Sequence, residues 1–306
     1  MNQLSVESLI EEADSAQTVK AIHTSLLLTA WLGTLMLSRL PQIILSEMGV
    51  IAPSDWKPWW WIAMGVVLFA FTYIWPAVKP LRSYFLMLTA IYIFSELLSV
   101  LQRTSLWTSW FGPQSSWFAS FFGDRLGIVF MAVSLAILLS LVGQNRREYF
   151  LAMGNVKAQA TGLRLPWTVA GPTIAILLTA VSTAAILAMS PGIVLTVTGA
   201  ISVLPAVLVL ALMNAFGEEL AYRAAPLSQL WQVVGKGQAI WMTALWFGVG
   251  HYYGGISFGA AGAVFFTLVA VLFGKAMLET KGLSLPVCMH LLGDVVLYLI
   301  LASSAG

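Results

Sequence analysis

Charge is scarce in this chain. Asp, Glu, Lys and Arg make up 9% of its 306 residues and 59% are hydrophobic, with a mean hydropathy of +0.87. Ordinary soluble domains carry roughly a quarter charged residues, so a soluble globular protein is excluded and a polytopic membrane protein implied. Cysteine is nearly missing: Cys288 alone excludes an intrachain disulfide and any multi-cysteine metal site, and it is expected to be a packed apolar residue. The net charge of +2 is too small to imply a nucleic-acid partner. The first nineteen residues lack a basic start and carry Glu7, Glu11, Glu12 and Asp14. Residues 1–20 are therefore expected to be a short polar tail, not a cleavable signal peptide. Neither an internal repeat of the kind that builds inverted-repeat transporters nor a His-Glu-x-x-His zinc signature is present.

What is there in abundance is apolar helix. Runs long enough to cross ~30 Å of hydrocarbon fall at about 21–38, 59–78, 83–101, 126–143, 167–189, 201–225, 238–253, 257–278 and 284–302. The expected fold class is all-α, a polytopic membrane helix bundle of about nine transmembrane helices. With the N-terminus cytoplasmic, the inner segments hold Lys20, Lys79, Arg82, Arg146, Arg147, Lys157, Arg164, Lys236, Lys275 and Lys281. The outer ones hold only Arg39, Lys57, Arg103 and Arg125, and this bias sets the orientation. Trp56, Trp59–Trp61, Trp107, Trp110 and Trp117 then form an outer interfacial belt, and residues 102–124 a piece lying along that surface. His23, at the cytoplasmic end of the first run, is expected to be solvated. Four regions result: the tail 1–20, an accessory four-helix region 21–145, a basic connection 146–165, and a working core 166–306. The accessory half contains one ionisable group expected to be well buried, Glu96.

The core is where polar groups interrupt the apolar helices. A charged side chain there costs ~2.5–3.5 kcal/mol on insertion scales, so each marks a functional-site hypothesis. In Asn214-Ala-Phe-Gly-Glu218-Glu219-Leu-Ala-Tyr222-Arg223, Glu219 and Arg223 stand four apart and share a helix face, acid first. Glu218 points about 100° away, toward the face of Asn214 and Tyr222, and is left free for chemistry. A second helix places Phe247 and His251 on one face, with Gly248 and Gly250 permitting close helix approach. A third places His290 and Asp294 on one face. A carboxylate and a histidine holding one water make a general-base pair, and a second histidine with a polar neighbour holds a developing oxyanion. This is a hydrolase layout that needs no nucleophilic Ser or Cys.

The order Glu218-Glu219-x-x-x-Arg223, Phe247-x-x-x-His251, His290-x-x-x-Asp294, with the lead-in Lys281-Gly-Leu-Ser-Leu-Pro286, resembles the CAAX protease and bacteriocin-processing family of intramembrane endopeptidases. The resemblance covers roughly residues 165–300. It implies that Glu218 and His251 activate water, that His290 and Asp294 stabilise the oxyanion, and that Glu219 and Arg223 brace the site with Asn214, Tyr222 and Phe247 in support. It implies a substrate that is a membrane-anchored protein or peptide, met in the lipid bilayer of a prokaryotic cell membrane. Two departures stand out. Tyr222-Arg223-Ala224 replaces the frequent Phe-Arg-Gly, and Asp294 replaces a frequent Asn. An ionised Asp cannot donate to an oxyanion, so Asp294 must be protonated, orient His290, or bind a metal. By ligand type Glu218, His251, His290 and Asp294 make a zinc set, although a metal-free glutamate mechanism with no cofactor is preferred. The alternatives are a proton-coupled transporter with Glu218, His251 and His290 as a relay, and a non-catalytic immunity or membrane-partner protein of the same family.

Overall fold

A computed structural model describes residues 24–189, 197–253 and 259–304. The polar tail and His23 lie outside the described residues. The chain is helical nearly throughout: α1 (Thr24–Met36), α2 (Leu40–Glu47), α3 (Trp59–Ile74), α4 (Arg82–Gln102), α5 (Ser105–Phe111), α6 (Trp117–Leu141), α7 (Trp167–Met189), α8 (Val197–Glu218), α9 (Ala225–Val234), α10 (Lys236–Gly250), α11 (Gly259–Thr280) and α12 (Ser284–Ser304). Each apolar run of the sequence became a helix, but among the described residues only six are long and apolar enough to cross a membrane. The count rises to seven if α1 and α2, bent by 58° to each other, form one broken span. The helices α3 and α10 are too short at 16 and 15 residues. This is an integral membrane protein, and among the described residues it has fewer full spans than the nine expected.

The bend between α1 and α2 frees backbone carbonyls, and three side chains from elsewhere meet them. Leu37 O accepts from Tyr92 Oη and from Trp246 Nε1 at 2.9 Å, while Ser38 O accepts from Trp61 Nε1 at 2.9 Å. A freed carbonyl has no water to turn to in hydrocarbon, so such partners are what make the break tolerable. Trp61 is accordingly buried and stacked on Tyr92 at 5.3 Å, whereas Trp59, Trp60 and Trp110 are exposed.

Three expectations for the surrounding chain are corrected. The segment 102–124 is not one surface piece. After α5, Ser116 caps a new helix by accepting from Ala119 N at 3.3 Å, so α6 begins at Trp117 and carries Asp124 and Arg125 within it. Glu96 is not well buried. It pairs with Arg103 at 3.1 Å in the open, because its turn of α4 lies near the helix end. Cys288 is exposed, on a face of α12 that no neighbouring helix among the described residues covers.

The connection after α6 packs down rather than looping free. It includes a two-residue antiparallel hairpin, Gln159–Ala160 with Leu165–Pro166. Asn155 N donates to Thr280 O at 2.6 Å and Leu283 N to Ala152 O at 2.9 Å, seating the connection on the α11–α12 turn. There Lys281 lies over the Trp231 ring at 4.0 Å, so the ends of α9 and α11 share one basic rim. The main core draws on both halves: Tyr84, Phe85, Met131 and Leu135 pack in one cluster with Leu227, Leu230, Met242 and Met277.

Candidate active site

Two glycines set how closely the site's helices approach. A Cβ on Gly217 would stand 2.5 Å from Ile128 Cγ2, so α8 crosses α6 at backbone distance. A Cβ on Gly248 would collide with Thr267 and the Ala263 carbonyl, which locks α10 against α11, as the sequence led one to expect. Gly250 faces open space.

Between α8 and α9 the helix widens. Glu219–Ala224 form a π-helical turn in which Ala225 N donates to Leu220 O, five residues back. Such turns are rare and concentrate at functional sites. From the start of this turn the two acids reach one imidazole on α12. Glu219 Oε1 lies 2.9 Å from His290 Nδ1, and Glu218 Oε2 lies 3.9 Å from His290 Nε2. Asp294 Oδ2 is 3.5 Å from that same Nε2. Glu219 is fully buried, and its second oxygen lies 3.3 Å from Arg223 Nε. The Arg223 guanidinium is held between aromatic faces, 4.8 Å from the Phe247 centroid and 5.6 Å from that of Phe273. Both partners of the pair are out of solvent, where an uncompensated charge would be costly.

The pairing extends further than the sequence indicated. Asp294 Oδ2 accepts from Asn214 Nδ2 at 2.8 Å, and Asn214 Oδ1 accepts from Arg125 Nη1 at 2.9 Å. Arg125 belongs to α6, and the sequence reading counted it among the outer-flank charges. A cation eight residues inside what proves to be a helix was the available signal.

His251 stands apart. It caps the end of α10, its ring stacked on Phe266 at 4.1 Å and packed on Phe247 at 4.6 Å. Its Nδ1 meets the Phe247 carbonyl at 3.1 Å. Because a carbonyl only accepts, the proton sits on Nδ1 and Nε2 keeps its lone pair. Phe247 thus touches both Arg223 and His251. Tyr222 turns toward Met131, with its hydroxyl 3.8 Å from the sulfur, and toward Trp246 at 5.8 Å. The structure therefore gathers Glu218, Glu219, Arg223, Asn214, His290 and Asp294, with Phe247 as a wall. Among the described residues no hydrogen bond or ion pair joins His251 to Glu218.

Among the described residues, no three His, Cys, Asp or Glu side chains stand where they would hold a metal ion. His290 spends Nδ1 on Glu219, and His251 turns its Nδ1 to the Phe247 carbonyl. As they stand, Glu218, His251, His290 and Asp294 do not form the zinc set that their ligand types suggested.

Comparison by family brings the site and the chain together. Residues 200–296 match the family model described as type II CAAX prenyl endopeptidase Rce1-like. The chain carries an Rce1-like domain. No curated protein and no solved structure gives a match. The Rce1-like domain runs from α8 into α12 and contains Asn214, Glu218, Glu219, Tyr222, Arg223, Phe247, His251, His290 and Asp294. It supports a CAAX-type intramembrane endopeptidase in general, acting on membrane-associated substrates within a bilayer. Arg125 lies outside the Rce1-like domain.

Proposed function

We propose that this protein hydrolyses a peptide bond of a membrane-anchored protein or peptide by a glutamate mechanism, with Glu218 as the base. One observation carries the reading. Within the Rce1-like domain a single imidazole, His290, is held between a fully buried braced acid, Glu219, and a second acid, Glu218, that lacks an arginine partner of its own. Glu218 takes a proton from water as the hydroxyl oxygen attacks the scissile carbonyl carbon. It then returns that proton to the departing amine as the carbon–nitrogen bond breaks. His290, turned by Glu219, faces the reacting region with Nε2, the position from which a proton reaches the carbonyl oxygen as it gains charge. Asp294 orients that ring, which is the role left to an acid that accepts from Asn214. His251, its Nδ1 turned to the Phe247 carbonyl, accepts a hydrogen bond from the attacking water at Nε2.

Residues 166–306 act as the working unit and residues 21–145 as its accessory. The basic rim around Lys281 and the connection faces the cytoplasm, and substrate enters between helices from that side. Membranes of cells carrying the wild-type chain and Glu218→Gln are to be compared by proteomics. One precursor should stay uncut in the variant, with cleavage lowered ~10²–10⁴-fold and the protein still inserted. Equal processing in both would overturn the assignment. Cleavage that disappears with removal of stoichiometric zinc would replace the glutamate mechanism with a metal one.

A further inference from the structure

The Arg125–Asn214–Asp294 chain links a helix of the accessory half to the site across sequence separations of 89 and 80 residues. Asn214 has one donor end and one acceptor end, and its neighbours decide which way each points. Arg125 can only donate, so it takes Oδ1, and Asn214 must turn Nδ2 to Asp294. The result is an acceptor-only contact at Asp294 Oδ2, the oxygen that also lies 3.5 Å from His290 Nε2. Arg125 is itself held in place, its guanidinium 5.5 Å from the Phe121 ring and 5.2 Å from that of Tyr298.

The charges point the same way. Glu218, Glu219 and Asp294 put three carboxylates around His290, and Arg223 answers one of them within the turn. The second cation near the cluster is Arg125, and it comes from α6. Asp294 adds a negative charge that its own helix, which carries no Lys or Arg, does not balance.

We infer that Arg125 is a positioning residue that acts through Asn214, offsetting the charge of Asp294 and fixing it as the hydrogen-bond acceptor that aligns His290. Its effect on cleavage rests on the protease reading; its coupling to Asp294 does not. The prediction is a matched dependence: Arg125 is needed because residue 294 is an acid. Replacing that acid by its neutral isostere should remove the need.

The test uses the full chain, purified in detergent, as wild type, Arg125→Gln, Asp294→Asn and the double variant. Thermal unfolding is recorded for each, and cleavage of the precursor identified in cells. Arg125→Gln alone should lower the melting temperature by roughly 5–10 °C and cut cleavage at least about tenfold. In the Asp294→Asn background the same change should cost less than half as much by both measures. A Glu96→Gln background serves as control and should give no relief. Should Arg125→Gln fail to accumulate, accumulation of the double variant takes its place as the readout. Equal losses in both backgrounds, or no accumulation of either protein, would overturn the coupling. Relief of the stability loss alongside a wild type that cleaves nothing would leave Arg125 in its role and end the protease reading.

Discussion

Two glutamate–arginine pairs, one in each half, have nearly the same length and different surroundings. Arg103–Glu96 closes at 3.1 Å with side chains 67% and 36% exposed. Arg223–Glu219 closes at 3.3 Å with side chains 3% and 0% exposed. The first has solvent or headgroups to answer either charge alone. The second does not, and it has recruited support: two aromatic faces around the guanidinium and an imidazole on the second carboxylate oxygen. Distance therefore says little about what a pair contributes. Burial decides whether breaking it matters, and a buried pair with a third partner is a fixed anchor from which other groups are aimed.

Substitutions can break this contrast at either end. Arg223→Ala should have the largest effect, destabilising by ~3–5 kcal/mol, because it leaves a fully buried carboxylate without its cation. Thermal unfolding in detergent reads it, and a loss below about 1 kcal/mol would put the buried pair on the footing of the exposed one. Trp246→Phe sharpens the comparison with a neutral donor, removing the indole that meets Leu37 O at the α1–α2 bend. It should cost ~0.5–1.5 kcal/mol, since Tyr92 still meets that carbonyl. An unchanged melting temperature would show that the bend does not depend on this contact. The smallest effect belongs to Arg103→Ala, at ~0–1 kcal/mol and diminishing with added salt. A loss matching that of Arg223→Ala would mean that exposure has no bearing on these pairs.

What the sequence made legible was local. Glu219–Arg223 and His290–Asp294 are separated by four positions on single helices, so helical geometry alone brings each pair into reach. The apolar runs were equally readable as helices, since hydropathy is a property of a window. Contacts between helices were not. Nothing in a linear pattern states that His290 meets Glu219, 71 residues away, or that Arg125 meets Asn214. The depth of Arg125 was misjudged because the start of α6 was placed nine residues late, past the Ser116 cap. The nine expected crossings exceed the six or seven found because α3 is apolar enough to look like a span but too short to be one, and α10, at 15 residues, is shorter still. The exposure of Cys288 follows from a rule that differs in lipid, where an apolar residue needs no protein around it.

The wide turn at Glu219–Ala224 also fixes the phase of everything after it. Winding those same residues to ordinary pitch, with none removed, would rotate α9 by roughly 100°. Gln229 would leave its reciprocal amide pair with Gln144, and Trp231 would swing out from beneath Lys281. That single turn is thus a phase corrector: the bundle's rim and its reactive acids stay in step only while it stays wide.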